Sequence, residues 1–557
     1  MDIKALTAGV SVSPQITPEE IQSIKDYGFR SIICNRPDGE GADQPSFEEV
    51  SAAAAKLGLE ARYIPIISGK VSDDDAQAFD KALSELPGPT LAYCRSGTRS
   101  ATLWSLAKAD VLSVADILAA TKSAGYDMGG VVRRIVNGGK TPTDRADATY
   151  DVVIVGAGAA GIAAASSLRS RKPDLNIAII DPADIHYYQP GWTMVGGGIF
   201  DAPDTAKTMG SLIPRGVHWI KAAVAAFEPQ DNAVILDGCR VVKYERLIVC
   251  PGLKLDWNRV EGLVETLGKN GVTSNYRYDL APYTWELVQQ MNEGRAIFTQ
   301  PPMPIKCAGA PQKAMYLSGD AWFRRGVLKD IDIQFNNAGG VLFGVKDYVP
   351  ALEKYVKKYD ASLNFFHNLV AVDGAAKKAW FDVSKPETPV ERIEMEFDMM
   401  HVCPPQVAPD FIRVSPLADD AGWVDVDQAT LRHKTYDNVW SLGDVMNAPN
   451  AKTAAAARIQ APIVAENLIA DIEGRAPVAQ YNGYGSCPLT VERGKIILAE
   501  FGYGGTMLPS FPKIFIDGTK PSRAAWFLKE KMLPPIYWKA MLRGREWMAK
   551  PEKVTAN

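Results

Sequence analysis

A run of apolar residues, Asp151-Val152-Val153-Ile154-Val155, passes directly into Gly156-Ala157-Gly158-Ala159-Ala160-Gly161 and then into the small-residue stretch Ile162 to Leu168. This order demands a buried strand, a tight glycine turn and a helix, the opening unit of a parallel α/β sheet. Gly156 permits the turn, Gly158 lets the backbone approach a pyrophosphate, and Gly161 lets helix and strand pack closely. The helix start at Ala159 and Ala160 then faces the phosphate charge. The next apolar run, Asn176 to Ile180, ends at Asp181, the expected partner of an adenosine ribose hydroxyl.

At 557 residues the chain exceeds what one hydrophobic core holds. The polar, turn-rich stretch Asn137 to Arg145 marks the main boundary. The reading is an α/β module over 1–137, a linker over 138–149 and a dinucleotide-binding region over 150–557. Within the latter, a first dinucleotide domain is expected over 150–290 and 403–480, a second nucleotide-type domain over 291–402 and an amphipathic helical end over 481–557. The fold class is α/β throughout, with two Rossmann-type dinucleotide folds downstream. A net charge of −4 gives nucleic acid no reason to bind. Seven cysteines fit a reducing compartment, and their spacing suggests no metal site. The N-terminus lacks a basic region with an apolar run, and no stretch reaches the ~20 apolar residues of a membrane span. The expectation is an intracellular protein with surface attachment left open.

Two later segments separate FAD from NAD. Leu247-Ile248-Val249-Cys250-Pro251-Gly252 is a strand ending in a small turn that returns to the nucleotide, with Pro251 and Gly252 at the contact. Asn438 to Asp444 is a strand whose Gly443-Asp444 end places a carboxylate on a ribityl chain. A plain dinucleotide dehydrogenase needs neither, so the cofactor read here is FAD. In the second domain, strand Arg295 to Gln300 runs into Pro301-Pro302-Met303-Pro304, which removes amide donors a second phosphate would need. Cys307 follows, after Lys306 and among small residues, with a helix starting near Gln312. Positive charge and a helix start both favour a reactive thiolate, so Cys307 is taken as catalytic.

His186-Tyr187-Tyr188-Gln189-Pro190-Gly191-Trp192, the segment around Cys307, Gly422 to Asp427, Lys452-Thr453-Ala454-Ala455-Ala456 and Tyr484-Gly485-Ser486-Cys487-Pro488-Leu489 together resemble sulfide:quinone oxidoreductase, in the form shared by mitochondria and many bacteria. The resemblance runs from Tyr150 to about Trp547. It implies FAD, oxidation of hydrogen sulfide to the persulfide level, transfer of sulfane sulfur to a small thiol or sulfite, and electron delivery to membrane quinone. Gln189 and Lys452 join the cofactor set through these motifs, and Cys307 falls on one of the family's two redox cysteines. The second is expected after Gly443-Asp444, where this chain has Val445. Three outcomes stay open: Cys307 works with an external thiol, Cys250 or Cys403 substitutes, or sulfide oxidation is lost.

Upstream, Ser31 to Asn35 and Thr90 to Cys94 read as buried strands, Ser46 to Lys56 and Ser100 to Lys108 as helices. Cys94-Arg95-Ser96-Gly97-Thr98-Arg99 aims backbone amides and Arg99 at an anion beside the Cys94 sulfur. Cysteine phosphatases space these two residues one further apart. The shorter loop reads as a rhodanese-like persulfide carrier, making Cys94 and Arg99 catalytic. With Asn35 to Glu40, the region from Ile3 to Val136 resembles a phosphatase-like family called beta-lactamase-hydrolase-like. Asp38 is a general acid or, as the better reading, a turn residue.

At the carboxyl end, Trp526-Phe527-Leu528, Ile536-Tyr537-Trp538 and Met541-Leu542 interleave with lysines and arginines as amphipathic helices broken by Pro534-Pro535. Packing on the body and attachment to a membrane both suit this pattern; the resemblance favours attachment. The combined reading is a peripheral enzyme on the cytoplasmic side of the inner membrane, or a soluble one, coupling sulfide oxidation to sulfur transfer at Cys94. The alternatives are a cysteine phosphatase fused to a flavoprotein, and a sulfide-responsive flavoprotein without full turnover. Oligomeric state is left open.

Overall fold

In the computed structural model, which describes residues 1–42, 44–142 and 148–554, the chain forms two compact units. The first comprises Met1–Thr149, Ala222–Lys243 and Asp410–Pro416; the second comprises Tyr150–Lys221, Tyr244–Pro409 and Leu417–Asn557. Of the expected linker, residues 143–147 lie outside the described residues.

The first unit is built on strands β1 (Lys4–Ala5), β2 (Val10–Ser13), β3 (Ser31–Cys34), β4 (Glu60–Tyr63) and β5 (Thr90–Tyr93), in the order β1-β2-β5-β3-β4. β5 lies parallel to both β2 and β3. Its two faces alternate between cores: Ala92 packs with Ile33, Phe79 and Trp104, while Leu91 and Tyr93 pack with Ile16, Ile24 and Val50. Helix Phe47–Lys56 starts at a capping box of Ser46 and Glu49. Helix α1 (Thr98–Ala107) begins directly after Gly97, whose φ of 89° lets the chain turn from β5 into the helix. A hairpin of Val224–Glu228 and Ala233–Leu236 also belongs to this unit, and its Ala226, Ala233 and Ile235 pack with Val132.

In the second unit, β6 (Ala148–Val155) is parallel to β7 (Ile177–Ile180), which pairs in turn with Val217–Ile220. Leu247–Val249 pairs in parallel with Val439–Ser441 beside them. Helix α2 (Ala159–Arg171) leaves β6 through the glycine turn, so the strand, turn and helix expected from the sequence are present. A second parallel sheet has the order Val272–Thr273, Met399–His401, β8 (Gly294–Gln300), Ile331–Asn337, Ser362–Phe365. Helix α3 (Ala310–Arg325) follows β8, and the hairpin of β9 (Gly485–Glu492) and β10 (Lys495–Phe501) contributes Cys487, Leu489, Val491 and Ile497 to the core beside it.

The carboxyl end differs from expectation. Pro534 and Pro535 open helix α4 (Leu533–Lys539) instead of breaking a helix, because a first turn needs no amide donors from them. Tyr537, Trp538 and Leu542 are buried against the body, whereas Ile514, Phe515, Phe527 and Trp547 are exposed. Among the described residues, no helix is long and apolar enough to cross a membrane.

Candidate functional site

A cavity of about 530 Å³ in the second unit joins the glycine turn, Cys307 and the carboxyl-terminal helices. At one end, a Cβ on Gly156 would lie 2.6 Å from the Cys250 carbonyl oxygen and 2.7 Å from Pro251 Cα, so the returning 250–251 turn packs on the glycine loop. A Cβ on Gly161 would lie 1.8 Å from the Gly156 carbonyl oxygen, the close helix–strand approach its glycine permits. Gly158, Ala159 and Ala160 face the cavity. Asp181 accepts hydrogen bonds from the amides of Ala157 (2.7 Å) and Ala183 (2.8 Å) at its two oxygens, which fixes the carboxylate at the cavity wall.

Further along, Gly252, Asp444 and Lys452 line the same space. Lys452 donates to the carbonyls of Asp444 (2.7 Å) and Met446 (2.9 Å), and burial pushes its amine down to about 8. Desolvation raises the Asp444 carboxyl, a rise that Lys452 and Lys306 oppose. Gln189 accepts from Lys306 Nζ at 2.7 Å. Trp192 Nε1, Thr193 Oγ1 and both polar atoms of Asn275 are buried, carry no hydrogen-bond partner and belong to cavity-lining residues. An elongated polar group with an aromatic end fits such walls: glycine backbone at one end, unpaired donors and acceptors at the other.

Cys307 lies at the start of α3 with its Sγ 3.1 Å from Cys487 Sγ, and Lys313 Nζ donates to Cys307 Sγ at 3.2 Å. The hydrogen bond from Cys487 holds the Cys307 thiol well below its ordinary pKa, against the effect of burial and with help from Lys313. Cys487 is pushed up correspondingly, first by Cys307 and then by burial. The two shifts run in opposite directions, so a thiolate is favoured on Cys307 over Cys487. Closing a disulfide, at about 2.05 Å between sulfurs, needs an approach of only ~1 Å. Lys529, buried and donating to the Pro190 carbonyl at 2.9 Å, has its amine pushed down to about 7 by burial.

Two expectations are revised here. The sulfur standing beside Cys307 is that of Cys487, delivered by β9, while those of the expected candidates Cys250 and Cys403 turn elsewhere. The Cys250 sulfur faces the Gly156 carbonyl at 3.6 Å, and the Cys403 sulfur accepts from Gln406 Nε2 at 3.7 Å. Burial pushes Cys403 up to about 12. Val445, at the place where a thiol was expected, is fully buried. The ammonium beside Cys307 belongs to Lys313, since Lys306 turns to Gln189. Cys487 stood inside a motif already noted for its resemblance, and that was the signal for it. Lys313 sits one helical turn inside α3, so its side chain reaches back to the helix start.

In the first unit, Cys94 is buried and its sulfur accepts from the Gly97 amide at 3.1 Å. Arg99 donates to both oxygens of Glu40, at 2.9 and 2.8 Å, and to the Ile66 carbonyl at 2.7 Å. Burial opposes the charge of Arg99, but Glu40 and the Cys94 sulfur hold it more firmly protonated than usual. The Arg99 guanidinium in turn holds the Glu40 carboxyl down at about 2. Asp38 accepts from the Phe47 amide at 2.9 Å, which ties it to the start of a helix. Among the described residues, no cluster of metal-ligating side chains occurs.

Two parallel α/β folds, a glycine turn on the first and a dithiol at the helix start of the second define a flavoprotein of the disulfide reductase class. Residues 150–283 match the family described as "Pyridine nucleotide-disulphide oxidoreductase", and residues 2–111 match "Beta-lactamase hydrolase-like protein, phosphatase-like domain". The chain is 45% identical over 402 residues to the mitochondrial sulfide:quinone oxidoreductase of Dictyostelium discoideum, covering 72% of this chain and 87% of that protein. It is 40% identical over 396 residues to the mitochondrial enzyme of Mus musculus, covering 71% of this chain and 87% of that one. The solved sulfide:quinone oxidoreductase of Aquifex aeolicus shares the fold, with a TM-score of 0.59 at 19% identity over 71% of this chain and 92% of that one. A beta-lactamase hydrolase-like protein of Xylella fastidiosa is 35% identical over 108 residues, covering 19% of this chain and 25% of that protein. The chain belongs to the sulfide:quinone oxidoreductase family, as a flavoprotein oxidoreductase with a phosphatase-like domain before it.

Proposed function

We propose that the second unit oxidises hydrogen sulfide through a Cys307–Cys487 disulfide and FAD, and passes the electrons to membrane quinone. The observation that carries this reading is the 3.1 Å approach of the two sulfurs, under Lys313, in the cavity that also reaches the glycine turn. Hydrosulfide attacks one sulfur of the disulfide; the S–S bond breaks, leaving a persulfide on one cysteine and a thiolate on the other. Lys313 stabilises that thiolate. An acceptor thiolate then takes the outer sulfur, and both cysteines are left reduced. Re-forming the disulfide releases two electrons, and overall hydrogen sulfide, acceptor thiol and quinone become acceptor persulfide and quinol. FAD, when bound, carries that electron pair from the dithiol to the quinone.

Gly156, Gly158, Ala159, Ala160 and Gly161 would hold the pyrophosphate, Asp181 the adenosine ribose, and Pro251, Gly252, Asp444, Lys452 and Gln189 the remainder. Exposed Ile514, Phe515, Phe527 and Trp547 supply an apolar surface suited to a bilayer interface, where quinone resides. The first unit takes the sulfane sulfur at Cys94 and hands it to a small thiol or sulfite. Its four-residue spacing between Cys94 and Arg99 and the Glu40 carboxylate against Arg99 support sulfur transfer over phosphoryl transfer. Fusion keeps a labile persulfide on one chain, raising the effective concentration of its acceptor.

Anaerobic sulfide titration tests the second unit: visible flavin absorbance bleaches in the wild type, and C307S or C487S abolishes bleaching. Bleaching that survives C487S would remove the dithiol from the mechanism. With thiosulfate as donor and glutathione as acceptor, C94S loses sulfur transfer; turnover of an aryl phosphate in its place would make the first unit a phosphatase.

A further inference from the structure

His186 lies between two parts of the second unit that are far apart in sequence. Its Nδ1 is 3.1 Å from the Ala157 carbonyl oxygen, in the glycine turn, and its Nε2 is 2.6 Å from the Tyr537 hydroxyl, in α4. A carbonyl oxygen only accepts, so Nδ1 carries the proton; Nε2 of the neutral ring then accepts from Tyr537. His186 is 3% exposed, and burial lowers its pKa, in keeping with a neutral ring.

Ala157 is fixed through both of its backbone groups, since its N–H, in the preceding peptide, donates to Asp181 at 2.7 Å. In a planar trans peptide, C=O and the following N–H point in opposite directions. Fixing the Ala157 carbonyl on His186 therefore aims the Gly158 N–H the other way. Gly158 caps α2, lines the cavity and has no atom within 4 Å of where a Cβ would stand. The rest of the carboxyl end reinforces the contact. Tyr188 and Tyr537 rings stand 4.7 Å apart, Ser166 donates to the Leu542 carbonyl at 2.9 Å, and Ser167 to Glu546 at 2.6 Å. Ser166 and Ser167 lie on α2, the helix whose N-terminus faces the cavity.

We propose that His186 and Tyr537 are positioning residues for the flavin pyrophosphate, coupling the docking of α4 to flavin retention. The inference rests on the FAD reading above. The α4 helix thereby has a second role besides any membrane contact: through Tyr537 and His186 it sets the direction of the Gly158 amide. Coupling of this kind is reciprocal, so bound flavin holds α4 down as firmly as α4 holds the flavin.

The test uses the full-length holoenzyme and reads flavin release by the rise in flavin fluorescence after dilution. Y537F should release flavin roughly three- to tenfold faster, the effect of one lost hydrogen bond. H186L should release it faster still, and H186N, whose amide replaces the Nδ1 donor, should recover part of the loss. The reciprocal readout is tryptic cleavage after Lys539 and Arg543: added FAD should protect wild-type apoprotein and protect Y537F less. Y537F removes one oxygen from a buried ring, so it remains informative if H186L fails to fold. Wild-type release rates and equal protection in Y537F would overturn the coupling. A wild-type protein that carries no flavin would overturn the FAD reading and this inference with it.

Discussion

At Cys307 the backbone adopts φ 84°, a left-handed conformation that costs a non-glycine residue about 1–2 kcal/mol. That geometry turns the sulfur toward both Cys487 and Lys313. Lys313 is 3% exposed, yet the Cys307 and Cys487 sulfurs hold its ammonium more firmly protonated than usual despite the burial. Removing that charge should raise the Cys307 pKa, because the thiolate loses a charged neighbour while burial still disfavours it. K313M should therefore slow iodoacetamide alkylation of Cys307 several-fold at neutral pH, with the rate restored as pH rises. An unchanged alkylation profile would assign thiolate stabilisation to Cys487 alone. The sequence drew attention to Cys307 but pointed to Lys306 as its cation, whereas Lys313 donates to the sulfur. Adjacency along the chain misled, since the side chain that reaches the sulfur is the one six residues on, in the first turn of α3.

Among the elements, the glycine turn was readable because its physics is local: strand, turn and helix are contiguous, and each glycine has a steric task visible in the order of residues. The Cys307–Cys487 pair was not, because it exists only once β9 packs beside α3, 180 residues apart in sequence. Gly309 shows how tight that packing is. A Cβ there would lie 2.2 Å from Leu489 Cδ2 and 2.8 Å from Cys487 Sγ, although its φ of −89° suits any residue. G309A should thus act sterically, pushing β9 and the Cys487 sulfur away from Cys307 at a cost of about 1–3 kcal/mol. Flavin content should hold while sulfide-driven bleaching slows and disulfide formation, followed by thiol titration, falls. Normal disulfide formation in G309A would mean that the sulfurs tolerate displacement. The carboxyl end was legible in kind but not in orientation. Its aromatic residues divide between body and solvent, a partition that depends on which face meets α2 and the His186 cluster.

For the molecule as a whole, turn-forming residues suggested a boundary near 137–145, but the composition of the first unit could not be read from the chain. Residues 222–243 and 410–416 join it from within the flavoprotein region. The hairpin carries Ala226, Ala233 and Ile235 against Val132, joined by Val241 just beyond it, with Glu228 paired to Arg133 at 2.6 Å and the following Cys239 Sγ donating to the Arg133 carbonyl at 3.1 Å. No residue pattern near 137 announces a contact that lies about a hundred residues downstream. A fragment of residues 1–149 keeps the five strands and the Cys94 loop but loses this cover. Val132 and Ile135 are 3% and 1% exposed in the intact chain. Exposing one such side chain costs about 1.5–3 kcal/mol, so the fragment should unfold at a lower urea midpoint than the same unit in the full chain. Tryptophan fluorescence from Trp104, buried in the first unit, follows that transition once the fragment is compared with a chain whose other tryptophans are silenced. Equal midpoints would show that the hairpin adds nothing to this core. A lower midpoint, restored by adding residues 222–243 through a short tether, would show that this hairpin supplies part of the first unit's stability.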